Sequence, residues 1–457
     1  MYRTAQVFIV AMSLWFYAYF NYSYIWIILG SCLFNYGCSY LTEKIPNKRK
    51  IIGIVGITGN IAILFYYKYM DFFLENINFL FRKDFPMLKI LLPLGISFFT
   101  FQQLSYVIDR MKMDAPHYGL IDYLSFVTFF PQLIAGPIVL HTELVPQFQD
   151  LSKRRFNIDN FTDGCVQAIL GLGKKVLIAD TLGLVVNGAY GGRYYLTTWS
   201  TIVFISAYAF ELYFDFSGYC DIAMGLGKMF NFDIPRNFDH PYRSHSIKEF
   251  WNKWHMTLSR FFVTYVYIPL GGRQKGKKRK IINTMAVFLL SGIWHGASWN
   301  YVLWGFLNGV GVILDDRKKE NDKKGFFDWL KTFSFFLFTL LIFRSENMED
   351  LRVILKGLFN PVGVKFIYDM AQFMDIPELY IFSKAFDLYM PQWKGFVYLT
   401  AFLVLMIICI ILLRKKTPEE FVREGNYTTK TAVWLAVIFV WSVISLSGVS
   451  TFLYFNF

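Results

Sequence analysis

Charged residues are scarce in this 457-residue sequence. They make up 17% of it, against about a quarter in soluble globular proteins. The shortfall excludes a string of ordinary soluble domains, which length alone would allow. Cysteine is sparse as well: Cys32, Cys38, Cys165, Cys220 and Cys409 lie mostly in apolar runs, and no two form a C-x-x-C pair. That pattern gives neither a zinc ribbon nor a dithiol motif, and the five read as small buried hydrophobes. Low-complexity tracts and strong internal repeats are absent, so symmetry lends nothing to an inverted-repeat transporter. No small-residue cleavage site follows the first apolar run, so no cleavable signal peptide stands out, and the first span can itself target the chain. The G-x-S-x-G elbow, the G-x-x-x-x-G-K-[ST] phosphate loop and the H-E-x-x-H zinc helix are all missing.

What is present is apolar. Hydrophobic residues make up 55% and aromatics 20%. Runs near 11–41, 51–70, 88–108, 119–140, 164–190, 199–229, 281–314, 326–343, 396–413 and 431–455 are long enough, singly or as pairs, to cross ~30 Å of hydrocarbon with ~20 helical residues each. The expected fold is an all-α polytopic membrane protein of about ten or eleven membrane helices, with residues 1–457 forming a single domain. The net charge of +13 concentrates between the runs, as EKIPNKRK at 43–50, GRQKGKKRK at 272–280, DRKKENDKK at 316–324 and RKKTPEE at 414–420. Short basic loops of this kind stay on the cytoplasmic side. The same bias accounts for them without a nucleic-acid partner. The stretch 344–395 mixes apolar and charged residues, as helices lying in the outer interface would.

One segment without a span is informative. In SHSIKEFWNKWHMTLSRFFVTYVYIPL at 244–270, Ser246 and Glu249 form a capping box that starts a helix at Ile247. At ~100° per residue, Ile247, Phe250, Trp251, Trp254, Leu258, Phe261 and Phe262 share one arc, with His255 at its edge. An amphipathic helix at the cytoplasmic interface is expected, its histidine turned partly inward.

Of six histidines, only His295 lies within an apolar hairpin, in SGIWHGASWNYVLWG at 291–305. A polar ionisable group at membrane depth marks a pathway or a reaction centre, or else makes an interhelical hydrogen bond. Small neighbours (Ser291, Gly292, Gly296) let a ligand or backbone approach, and Trp294 and Trp299 supply stiff walls. A neutral imidazole is a suitable general base near pH 7, able to activate a hydroxyl for acyl transfer where water is excluded. Glu211, Asp215 and Asp221 in ELYFDFSGYCDIAMGLG fit either a polar tunnel or a structural network.

The blocks PLGISFFTFQQLSYVIDR (93–110), YLSFVTFFPQLIAGPI (123–138), YFDFSGYCDIAMGLGKMF (213–230), FWNKWHMTLSRF (250–261), YIPLGG (267–272) and SGIWHGASWNYVLWG occur in this order, with FLYFNF at the C-terminus. Together they resemble the membrane-bound O-acyltransferase (MBOAT) family, in its bacterial alginate O-acetyltransferase-like branch. The likeness runs from about residue 12 to the end. It implies membrane, re-entrant and interfacial helices around a central tunnel, in the bacterial cytoplasmic (inner) membrane. His295 matches the family's catalytic histidine, and His255 matches a second one toward the cytoplasmic mouth. Trp294, Asp215, Trp251, Ser291 and Asn300 are the expected tunnel or substrate-lining residues. Neither a metal nor a tightly bound cofactor is expected. Acetyl-CoA is the implied donor. The implied acceptor is an extracytoplasmic polysaccharide or peptidoglycan hydroxyl, reached through an SGNH-type acetyltransferase partner. The basic run at 272–280 could attract the donor's phosphates.

Two departures stand out. The family has one more apolar segment before the block matching 13–30, and only a dozen residues precede it here. His240 and His245 stand where other polar residues are expected, and read as interfacial. D-alanyl transfer toward teichoic acid, used by a related branch, is the alternative enzyme reading. A transporter of lipid-linked sugars is the alternative outside enzymes, and it has no need of a W-H-G block in a hairpin.

Overall fold

The computed structural model describes residues 2–316, 325–361, 365–374, 380–446 and 453, and among them there are helices and no strand. In chain order the helices are α1 (Tyr2–Phe20), α2 (Ser23–Lys44), α3 (Arg49–Leu64), α4 (Met70–Phe81), α5 (Ile96–Lys112), α6 (Leu120–Thr128), α7 (Phe130–Leu133) and α8 (His141–Gln149). Then come α9 (Ile158–Gly173), α10 (Asp180–Gly191), α11 (Thr198–Met229), α12 (Ile247–Lys253), α13 (Met256–Phe262), α14 (Gly276–His295) and α15 (Trp299–Asp315). The chain continues through α16 (Phe326–Arg344), α17 (Met348–Leu358), α18 (Lys365–Gln372), α19 (Tyr380–Tyr389), α20 (Pro391–Leu413), α21 (Pro418–Glu424) and α22 (Thr429–Ser445).

Among the described residues, four helical stretches are by themselves long and apolar enough to cross a bilayer: Ser23–Lys44, Pro46–Phe81, Phe326–Arg344 and Pro391–Leu413. Their outward faces carry large exposed hydrophobics such as Trp26, Ile54, Phe338 and Ile407, as a surface solvated by lipid tails requires. Other apolar runs are interrupted. The run at 88–108 becomes helical only at Ile96. The run at 119–140 yields α6 and the four-residue α7. The segment 344–395 holds the short helices α17, α18 and α19. Most of the basic run 316–324, and all of FLYFNF except Leu453, lie outside the described residues.

Among the described residues, three helices pass through a π-turn: Phe65–Tyr69 joins α3 to α4, Lys174–Ala179 joins α9 to α10, and Val263–Tyr267 extends α13. Each turn aims a polar side chain at another element. Lys174 pairs with Asp221 at 2.6 Å, and Lys175 with both Asp180 and Asp215 at 2.6 Å. Tyr265 donates to Asp109 at 2.7 Å. Two carboxylates on the 32-residue α11 therefore sit in ion pairs with the π-turn that faces them. Charges withdrawn from water persist only with such partners.

Glycine sets the spacing of the α9–α11 pair. A Cβ on Gly164 would lie 2.5 Å from the Gly225 carbonyl, and one on Gly171 would lie 2.7 Å from that of Gly218. The reverse approaches are 2.6 and 2.8 Å. Two reciprocal contacts seven residues apart on each helix bring the backbones together, the arrangement that lets helices pack in lipid without a hydrophobic driving force. Four of the five cysteines are buried and all five are free thiols.

The amphipathic helix expected over 244–270 starts at Ile247, with the Ser246 hydroxyl accepting from the Glu249 amide. It does not run through. It stops after Lys253, His255 adopts left-handed angles (φ 47°, ψ 51°), and α13 begins at Met256. The segment before it explains the break. The Asp239 amide donates to the Lys253 carbonyl, and the Met256 amide to that of Asn237. Asn237 Oδ1 accepts from both the amide and the hydroxyl of Thr257. This outside capping leaves His255 2% exposed, rather than on the rim of an apolar arc.

Candidate functional site

The site is built around the end of α14. That helix stops at His295 because Gly296 is extended, and α15 starts again at once behind the Ser298 cap. The hairpin closes tightly. A Cβ on Gly292 would stand 2.3 Å from the Tyr301 carbonyl, and one on Gly305 would stand 2.4 Å from that of Phe288. Only glycine allows this approach, and it pushes the imidazole of His295 among rings. Trp304 and Phe343 lie 5.1 and 5.2 Å away centre to centre, both edge-on. Asn300 lies inside the hairpin and donates to the Ser345 carbonyl at 2.8 Å, which ties α15 to the end of α16.

The indole of Trp294 joins the two histidines. Its ring centre is 5.1 Å from that of His295 and 6.0 Å from that of His255. Phe101 stacks on it at 5.3 Å and Phe98 meets it edge-on at 5.6 Å. His255 is held by a 3.2 Å hydrogen bond between Nδ1 and Asn237 Oδ1. That oxygen already accepts from Thr257, which fixes the orientation of the amide. The neutral imidazole therefore carries its proton on Nδ1 and keeps its lone pair on Nε2.

Both imidazoles face one cavity of about 520 Å³, with Trp251 and Ser291 among its walls. Trp251 is steadied by its indole N–H, which donates to Asn308 at 3.3 Å. At the other end of the cavity stand Lys248, Lys277, Lys280 and Asp316. Asp316 ion-pairs with Lys248 at 3.0 Å and with Lys280. Burial acts to raise its pKa, and the two ammonium hydrogen bonds overcome that and hold it below the usual carboxylate range. Two lysines of the 272–280 run thus reach this rim. A second cavity of about 60 Å³ lies against Trp294 and is walled by Lys68, Ser97 and Phe98. Adjacent residues on one helix thus face different spaces, His295 the large cavity and Trp294 the small one.

Asp215 stands apart from both cavities, bound to Lys175 and accepting from the Leu453 amide at 3.1 Å. Among the described residues, Asp239, His240 and Glu420 form one group with metal-ligand spacing. His240 is hydrogen-bonded to Glu420 at 3.1 Å, and Asp239 faces Arg236 at 3.3 Å. Sequence reasoning missed Asn237, the anchor of His255, and Lys68, which reaches the end of α14. Lys68 is a lone cation in an apolar run, the same signal that singled out His295.

Residues 111–317 match the model of the membrane-bound O-acyltransferase family. A peptidoglycan O-acetyltransferase of Helicobacter pylori is 34% identical across 99% of this chain and 91% of its own length. A probable alginate O-acetylase of Pseudomonas putida is 32% identical across 100% of this chain and 95% of its own. A teichoic acid D-alanyltransferase of Streptococcus thermophilus is 29% identical over 50% of this chain and 59% of its own.

Proposed function

The chain belongs to the membrane-bound O-acyltransferase family, and from that premise we propose that it moves acetyl groups from a cytoplasmic donor to hydroxyls of an extracytoplasmic polysaccharide or peptidoglycan. It is an O-acyltransferase and a multi-pass membrane protein. The observation that carries the proposal is the large cavity, with two buried imidazoles at one end and a lysine rim at the other. Positive-inside bias puts the basic runs, and with them the rim, in the cytoplasm of a bacterium, the chain sitting in the inner membrane. Acetyl-CoA suits this entrance. Its phosphates meet the lysines while the thioester reaches inward between Trp251 and Ser291.

In this reading His295 removes the proton from the accepting hydroxyl. The oxygen attacks the thioester carbonyl, the C–S bond breaks, and the thiolate leaves with the proton returned by the imidazolium. In a two-step form of the same transfer, a ring nitrogen of His295 displaces the thiolate from the carbonyl, and the accepting hydroxyl then displaces the imidazole, giving up its proton to it. His255, locked by Asn237, orients the donor through Nε2. The aromatic wall keeps water from hydrolysing the donor. An SGNH-type partner on the outer face hands the acetyl to the polymer, so the partner selects the acceptor. Acetyl is preferred to D-alanyl because the likeness to the two O-acetylating relatives spans nearly the whole chain and the other spans half.

The test is alkali-released O-acetyl from cell envelopes of wild type and His295→Ala, with equal protein in the membrane. The expected result is loss of acetyl to background. Unchanged acetyl would remove His295 from the transfer step, and release of D-alanine would then be assayed.

A further inference from the structure

We propose that Lys68 is a positioning residue for the transfer, holding the peptide that carries Trp294 and His295 by hydrogen bonds from another helix. The proposal rests on the reading of His295 as the transferring group. An α-helix ends with carbonyls that have no partner within it. They are commonly satisfied by a left-handed glycine turn. Gly296 is extended (φ −167°, ψ 159°), so the chain after α14 does not fold back in that way. The partners come from the π-turn between α3 and α4. Lys68 Nζ donates to the carbonyls of Trp294 at 2.7 Å and His295 at 2.9 Å. Tyr69, the next residue, donates its hydroxyl to the Ile293 carbonyl at 2.9 Å. Three consecutive carbonyls at the end of α14 are thus held by two consecutive side chains. Further along, the Trp299 indole donates to Asn76 Oδ1 at 2.9 Å, so the same helical stretch also grips the start of α15.

The consequence is directional. The amine fixes the two peptide planes from which the indole and the imidazole depart, and these residues line different cavities. It also lies 5.8 Å from the centre of the Trp294 ring, close enough for a cation–π contact. The π-turn holds more residues per turn than an α-helix, which narrows the angle between the successive side chains of Lys68 and Tyr69. Misplacing a reacting group by about 1 Å can cost on the order of a hundredfold in rate.

The test uses the full-length protein in membranes, with kcat and KM for acetyl-CoA normalised to folded enzyme, in wild type, Lys68→Met, Lys68→Arg and His295→Ala. Lys68→Met should lower kcat at least tenfold and leave KM within about twofold, because Lys68 does not touch the donor cavity. Lys68→Arg, which keeps donor groups, should fall between Lys68→Met and wild type. Wild-type kcat in Lys68→Met, or a loss expressed in KM, would overturn the proposal. If Lys68→Met fails to accumulate, Lys68→Gln, whose shorter side chain cannot span both carbonyls, decides: lowered kcat at constant KM supports the role, and wild-type kcat refutes it. Full activity in His295→Ala would instead refute the reading on which it rests.

Discussion

One backbone angle decides which way His255 faces. Its φ of 47° is a conformation that costs an ordinary residue about 1–2 kcal/mol, and the bonds to Asn237 hold it there. A glycine bears no such cost. His255→Gly is therefore expected to unfold at a higher temperature than His255→Ala, by an amount equivalent to roughly 1 kcal/mol, with transfer impaired in both. Thermal unfolding in detergent beside the envelope acetyl assay separates the two effects. At this scale the sequence was informative wherever chemistry contradicts surroundings. A histidine in an apolar hairpin is conspicuous, and Lys68 is equally conspicuous by the same rule. Asn237 was not legible, because its part is set by where a loop 18 residues before His255 comes to lie.

Helix existence was largely legible from apolar runs, and helix continuity was not. The 244–270 arc assumed one uninterrupted rotation. Capping by residues 237–239 breaks it, and hydrogen bonds arriving from another part of the chain leave no periodic trace. The π-turns are hidden for the same reason. The glycine pairs of α9 and α11 were visible only as letters, since neither helix shows by itself where the other will cross. Their contact makes a sharp contrast. Gly218→Leu places a side chain against the Gly171 carbonyl and should force α9 and α11 apart, disturbing the Lys174–Asp221 pair. Gly191→Ala meets nothing within 4 Å. The first should reduce folded protein in the membrane several-fold and the second should leave it unchanged, as fluorescence-detected size exclusion would read.

The molecule as a whole joins a wet, charged entrance to a dry aromatic interior. Among the rim residues, Lys248 and Lys280 share Asp316, while Lys277 stands beside them. Attraction of a polyanionic donor to such a rim weakens as salt shortens the Debye length from about 10 Å at 0.1 M to about 3 Å at 1 M. KM for acetyl-CoA should rise with ionic strength. Lys277→Glu should raise it several-fold at low salt and flatten the dependence, with kcat little altered, in assays on membrane vesicles. The three π-turns have a consequence of a different kind. Each is a place where a helix holds one more residue than a regular turn needs. Removing a single residue there would leave a regular helix whose far part keeps nearly its present facing, whereas the same deletion in a regular turn would rotate everything beyond it by about 100°. Among the described residues, the reading frame thus contains three places where one codon can be lost while the helices go on facing the same neighbours.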